Sequence, residues 1–241
     1  MPRISRIVYP GVPHHITHRG NNRENIFRSD ADKELYLSIL KKYSDMYDLK
    51  ILGYCLMSNH IHIIGIPMNE DSLAKVIKIG HMYYTRRINE KYDRCGHLWH
   101  SRFYSVPLND IHLLAAMRYI EQNPMRTRLV NFAWEYPWSS ASAHVNGLDT
   151  SHILDHEHWH IDSISWREIL GWFLRDDEIE LIRFHTKSGK PFPTGDSPRG
   201  LSPAAAEMLS SNTCIKPITM EYTKTDIGNL KPRVHWDGAR V

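Results

Sequence analysis

Leu49-Lys50-Ile51-Leu52-Gly53-Tyr54-Cys55-Leu56-Met57, then Ser58-Asn59, then His60-Ile61-His62-Ile63-Ile64-Gly65-Ile66 is the stretch that decides the fold. Two apolar runs flank a two-residue polar break. That pattern predicts two strands joined by a tight hairpin. Upstream, His14-His15-Ile16-Thr17-His18 is short, partly β-branched and bounded by Pro13 and Gly20, which predicts another strand. Between these strands, Ser29-Asp30-Ala31-Asp32 has the form of a helix start, and Tyr36, Ile39, Leu40, Tyr43 and Tyr47 follow at helical spacing. Downstream, Leu73, Val76, Ile77, Tyr84 and Ile88 form a second helical stripe after Asp71-Ser72. Residues 102–108 predict a fourth strand, near a sheet edge because of Pro107. A third helix starts after Asn109-Asp110 and runs to about Gln122, where Pro124 stops it. The order β-α-β-β-α-β plus a helix predicts an α+β, ferredoxin-like split βαβ fold: an antiparallel sheet with helices on one face.

The second half changes character. Tyr136-Pro137-Trp138-Ser139-Ser140 predicts the start of a short helix, and residues 149–162 are polar and rich in histidine. Residues 164–186 predict two helices around Asp176-Asp177. Beyond residue 188 the chain is rich in Gly, Pro, Ser, Thr and Lys, predicting an irregular tail with one short helix near 203–210. The expected organisation is a domain over 1–148, a helical extension over 149–188 and a mostly irregular tail over 189–241.

Of the 241 residues, 41 % are hydrophobic and 24 % charged, enough apolar material for a core and against disorder. No apolar run approaches a membrane span, and the N-terminus lacks the apolar stretch of a signal peptide. Cys55, Cys95 and Cys214 are odd in number and far apart, which argues against a disulfide scaffold and for a reducing compartment, the cytoplasm. Charge is unevenly placed. Residues 72–128 carry ten basic and four acidic side chains, a distribution that suits a polyanion or simply a solvated basic face.

Two constellations carry chemistry. His60-Ile61-His62 places two imidazoles on one side of a strand, where they can converge on a divalent ion. On the third helix Leu113, Ala116, Met117 and Ile120 form the apolar stripe, which puts Tyr119 roughly 110° from its centre, at the boundary with solvent. Asn123 lies one turn on and shares its face. Helix geometry alone does not separate a nucleophilic Tyr119 from a packed boundary tyrosine, nor from Tyr83 and Tyr84 beside Arg86 and Arg87. His156, His158 and His160 alternate, a pattern that is usually solvated.

Several longer stretches occur in a fixed order over roughly residues 3–145. They are Tyr9-Pro10-Gly11, His15-Ile16-Thr17-His18-Arg19-Gly20-Asn21-Asn22-Arg23, and Tyr54-Cys55-Leu56-Met57-Ser58-Asn59-His60-Ile61-His62. Gly96-His97-Leu98-Trp99, Arg102-Phe103, Arg118-Tyr119-Ile120 with Asn123-Pro124-Met125-Arg126, and Tyr136-Pro137-Trp138-Ser139-Ser140 continue the series. With these the chain resembles the REP-associated tyrosine transposases, relatives of the single-tyrosine HUH transposases of bacterial insertion sequences. Ser58 stands where the family often has proline. The resemblance implies a metal-dependent nickase and strand transferase acting on single-stranded DNA hairpins, by way of a 5′-phosphotyrosine. Tyr119 is then the nucleophile, and His60, His62 and Asn123 hold Mg²⁺ or Mn²⁺, with Gln122 the other candidate for the third position. Candidate DNA contacts are Arg19, Asn21, Asn22, Arg23, Arg102, Arg118, Arg126 and Arg128, with Trp99 and Phe103 either stacking on bases or packing in the core. The resemblance favours a monomer over a homodimer. A catalytically silent hairpin-DNA-binding protein and a water-using metal hydrolase are the alternatives.

Overall fold

The computed structural model describes residues 8–147, 149–159 and 161–192. Four strands, β1 (His14–Arg19), β2 (Leu49–Met57), β3 (His60–Pro67) and β4 (Tyr104–Pro107), form an antiparallel sheet in the order β2-β3-β1-β4. Met57 pairs with His60, so Ser58 and Asn59 make the turn of the predicted hairpin. In the β1–β3 ladder His15 lies opposite Ile64 and Thr17 opposite His62. Directly opposed residues share a face. His15, Thr17, His60 and His62 therefore point to one side of the sheet, and Ile16, His18, Ile61 and Ile63 to the other.

The two crossover helices, α1 (Asp30–Met46) and α2 (Ser72–Lys91), cover the second side. Tyr36, Ile39 and Leu40 of α1 and Leu73, Val76, Ile77 and Tyr84 of α2 pack there with Ile16, Ile61 and Ile63. Asp32 accepts from the backbone N–H groups of Arg28 and Ser29 at 2.8 and 3.1 Å, which closes the first turn of α1 as the sequence predicts. The first side is covered too. Leu113, Ala116, Met117 and Ile120 of α3 (Asp110–Glu121) pack on Leu52, Ile64 and Ile66. A ladder irregularity at Ile51/Gly53 lets α3 come close, since a Cβ on Gly53 would run into Met117 Sδ.

Later elements complete that side. α4 (Asn123–Arg126) follows α3 directly, and Pro124 sits in its first turn, where the missing N–H leaves no bond unmade. Pro124 thus opens a new turn as well as ending the old one. Tyr136–Ser140 does not start a helix. It lies along the outer edge of β2, whose backbone groups need partners. Leu56 N donates to Trp138 O at 2.8 Å and Ser140 N to Tyr54 O at 3.0 Å. Helix α5 (Ala141–Asn146) begins only after it. The predicted fourth strand is shorter than expected, leaving Arg102 and Phe103 in a loop. α6 (Ser163–Gly171) and α7 (Asp176–Ser188) bring Trp166, Ile169, Leu170, Ile179 and Ile182 into the same apolar cluster as α3. α7 runs against β4 and β1. No helix among the described residues is long and apolar enough to cross a membrane. The tail from residue 193 onward, with the helix expected near 203–210, lies outside the described residues.

Candidate active site

The hairpin and the end of α3 meet over the first side of the sheet. The His60 and His62 rings are 5.0 Å apart, edge to face. His60 Nδ1 is 2.7 Å from Asn59 Oδ1. An amide oxygen only accepts, so Nδ1 carries the ring proton and Nε2 keeps its lone pair. That Nε2 lies 3.2 Å from the Asn123 amide nitrogen, and a half-turn of the amide exchanges its nitrogen for its oxygen. Tyr119 stands edge-on to His62 at 5.4 Å and to His15 at 6.0 Å between ring centroids. The Arg126 guanidinium lies 4.4 Å over the Tyr119 ring, and Arg183 Nε donates to the Tyr119 hydroxyl across a long 3.4 Å. Thus α3 and α4 deliver Tyr119 and Asn123 one turn apart, against a histidine pair supplied by β3.

The junction between those helices is fixed from behind. Glu121 is fully buried and accepts from the Ser140 hydroxyl, from His144 Nδ1 at 2.7 Å and from Trp166 Nε1 at 2.8 Å. Gln122 donates to the carbonyls of Leu170 and Trp172 at 2.9 and 2.7 Å, so its amide faces α6, and of the two candidates it is Asn123 that stands beside His60. Among the described residues no group of three or more His, Cys, Asp or Glu is placed to hold a metal ion. Two histidines and an amide are a different donor set, all neutral, and they suit a divalent ion that keeps open positions.

His15, His60, His62 and Tyr119 line a cleft of about 560 Å³, with the exposed Arg19, Arg23, Arg183 and Lys187 around it. Burial lowers the pKa of His60 to about 4, reinforced by the charges of Arg19, Arg126 and Arg183. Burial also lowers His15 to about 3, and pushes His62 well below the usual range with help from His60, His15 and the two arginines. These rings are neutral at pH 7 and sit in a positive field, which fits an anionic ligand. A consequence for stability follows. Outside the cleft His14 is likewise lowered to about 4 by burial, against a weaker opposing bond to the Val12 carbonyl. Unfolded histidines bind protons below about 6.5, whereas these folded ones do not. Stability is therefore full above pH 6.5 and falls as pH drops toward 4. His14 and His15 are each expected to remove about 2 kcal/mol between pH 7 and 5. Thermal melts by circular dichroism should show a steep loss of Tm over that interval; an unchanged Tm at pH 5 would contradict it.

The other predicted residues divide clearly. Arg19 and Arg23 reach the cleft. Asn22 lies exposed in the adjoining turn with φ 49°, and Asn21 is half-buried beside it, its N–H bonded to Leu98 O at 2.8 Å. Arg126 braces Tyr119, and Arg128 is exposed. Arg118, expected as a DNA contact, is 1 % exposed, and its Nη2 donates to Trp172 O at 2.6 Å where α6 ends. Arg102 lines a separate cavity of about 530 Å³ on the opposite side of the sheet. Trp99 and Phe103 are buried at that cavity, with Trp99 stacked on His81 at 3.9 Å, so packing accounts for both. Tyr84 is buried and its hydroxyl donates to Ile26 O at 2.8 Å; Tyr83 is exposed on the same helix, across the sheet from the histidine pair. Of the alternating histidines, His158 bonds Asp155 at 2.7 Å, His156 lies 3.8 Å from Asp149, and His160 lies outside the described residues. Cys55 is buried, as expected of a small apolar side chain.

Sequence reasoning missed His15, Arg183, Thr186 and Lys187. His15 Nε2 is 3.0 Å from His62 Nδ1, and His15 Nδ1 is 2.9 Å from Thr186 Oγ1. The period of β1 places His15 on the same side as His62 once the strands pair, a signal available only with the register in hand.

Comparison with known proteins adds to this geometry. No curated protein matches the sequence. A solved structure of a REP-associated tyrosine transposase bound to a REP hairpin is similar at 18 % identity, covering 68 % of this chain and 93 % of that one with a TM-score of 0.53. A protein of Deinococcus radiodurans R1 described as a candidate transposase aligns at 16 % identity over 51 % of this chain and 97 % of that one, TM-score 0.36. The tRNA(His) guanylyltransferase of Saccharomyces cerevisiae aligns at 13 % identity over 80 % and 85 %, TM-score 0.40. Residues 9–123, which span the sheet, both histidines, Tyr119 and Asn123, match the model of the family described as "Transposase IS200 like". Over residues 9–123, which carry the histidine pair and Tyr119, this chain is similar to the IS200-like transposases.

Proposed function

We propose that the cleft is a DNA strand-transfer site in which Tyr119 attacks a phosphodiester of single-stranded DNA next to a hairpin. One observation carries the reading: Tyr119 and two neutral imidazoles line one arginine-rimmed cleft, with the Asn123 amide against His60 just behind it. The similar fold bound to a REP hairpin supports a hairpin as the DNA partner. His60, His62 and Asn123 would hold Mn²⁺ or Mg²⁺. When bound, such an ion offsets phosphate charge and orients the group under attack. Imidazole donors favour Mn²⁺ in affinity.

The chain's own residues do the rest. Arg183 puts positive charge beside the Tyr119 oxygen, where the phosphate must arrive, and Arg19 and Arg23 extend that charge along the cleft. Arg126 holds the ring from above and the backbone carbonyl of Tyr119 at 2.8 Å, so the phenol enters on a fixed axis. The phenol gives up its proton, the oxygen–phosphorus bond forms, and the bond to the 3′ oxygen breaks. That oxygen takes up a proton and leaves as a 3′-hydroxyl. The ester is exchanged rather than hydrolysed, so no nucleotide cofactor is consumed. The chain is read as a self-contained monomer, as the resemblance implies, and a DNA substrate supports work in the cytoplasm.

The test uses labelled single-stranded hairpins with Mn²⁺ or Mg²⁺. His62→Ala is expected to weaken Mn²⁺ binding at least about tenfold by calorimetry and to abolish cleavage, while hairpin binding through the arginines persists. Chelation of the wild type should do the same. Tight hairpin binding by a wild type that never cleaves would instead establish a silent binding protein.

A further inference from the structure

Behind the histidine pair a single chain of hydrogen bonds runs from β3 through β1 to α7. Its far end fixes its direction. Thr186 Oγ1 lies 2.7 Å from Ile182 O, and a carbonyl only accepts, so the hydroxyl spends its one proton there. His15 Nδ1, 2.9 Å from the same hydroxyl, must then be the donor. A neutral imidazole has one ring proton, so His15 Nε2 is left with a lone pair. That Nε2 is 3.0 Å from His62 Nδ1 and accepts its proton. His62 is left with its lone pair on Nε2.

We propose that Thr186 and His15 are positioning residues that lock His62 in the Nδ1–H form, holding its Nε2 free as a donor toward the cleft. His60 reaches the same form by a separate route, through Asn59. Both imidazoles then keep a lone pair on Nε2, with the proton of the other nitrogen held by an outer partner, as metal-ligating histidines require. The proposal rests on the metal reading above and deepens it. It also gives α7 a task. α7 lies wholly beyond the family-matched residues 9–123, yet it sets the donor atom of a residue inside them. Both rings and the threonine are packed too closely for water to take over: His15 is 1 %, Thr186 2 % and His62 5 % exposed.

The experiment is nitrogen-15 NMR of the metal-free full chain with labelled histidines, in which long-range couplings report which ring nitrogen carries the proton. In the wild type His62 and His15 should both be protonated on Nδ1. Thr186→Val keeps the shape and removes the hydroxyl. It should mix the two ring forms of His15 and His62 and weaken Mn²⁺ binding by about 10- to 100-fold in calorimetry. Thr186→Ser should restore both. Protonation of His62 on Nε2 in the wild type overturns the proposal, as does a Thr186→Val chain with unchanged ring forms and Mn²⁺ affinity. A wild type that reads Nδ1–H yet binds no Mn²⁺ upholds the lock and removes the metal reading instead.

Discussion

Tyr119→Phe is expected to lower hairpin cleavage at least about 10³-fold while leaving the fold and DNA binding in place. The substitution removes one oxygen. Among the described residues that oxygen has a single weak partner, Arg183 at 3.4 Å, so its loss costs at most about 1 kcal/mol of stability. The ring keeps its place beneath Arg126 and edge-on to His62. A packed boundary tyrosine would tolerate the change. A nucleophile would not, because its hydroxyl oxygen is the atom that forms the bond to phosphorus. Melting curves should overlay those of the wild type, and a gel-shift with a REP-type hairpin should give the same affinity within about twofold. Near-wild-type cleavage by the variant would place the nucleophile elsewhere.

Trp166→Ala is expected to produce the largest loss of stability. Trp166 is fully buried, stands edge-on to Trp159 at 5.0 Å and donates its indole N–H to Glu121. Its removal leaves a cavity, at about 3–5 kcal/mol, and strips a buried carboxyl group of a donor, at about 1–3 kcal/mol more. Against a total stability of about 5–15 kcal/mol this is a large share. The expected fall in Tm is roughly 10–20 °C, with Trp166→Phe intermediate. The effect should reach the cleft, because Glu121 lies between Tyr119 and Asn123. Cleavage measured well below Tm should drop more than DNA binding. An unchanged Tm would mean that α6 contributes nothing to the core beneath the site.

Much of this architecture is legible in the residues. Strand pairing follows from the β2–β3 hairpin, and the period of β3 places His60 and His62 on one side. The i, i+4 relation of Tyr119 and Asn123 survives the break at Gln122, since α4 resumes helical geometry at once. What is hidden depends on packing between distant segments. Arg118 and Gln122 look polar and available, yet both bond the Trp172 carbonyl, an acceptor left open where α6 ends. Their own i, i+4 spacing is the only hint that they share a target. Tyr136–Ser140 has helix-starting chemistry, but the open edge of β2 is the stronger demand. Arg183 and Thr186 enter the cleft because the apolar face of α7 docks beside β1 and β4, a placement that periodicity cannot give. His15 reads as one more strand histidine until the β1–β3 register sets it against His62.

The most direct test of Tyr119 as the attacking group is the covalent link itself. A single-stranded hairpin carrying its label at the 3′ end is incubated with the full chain and Mn²⁺, run on a denaturing gel, and the shifted band is digested for mass spectrometry. The label should travel with the protein, on the peptide containing Tyr119, and the band should vanish with chelator and in Tyr119→Phe. Cut product with a free 5′-phosphate and no labelled protein would contradict the mechanism and assign the attack to water.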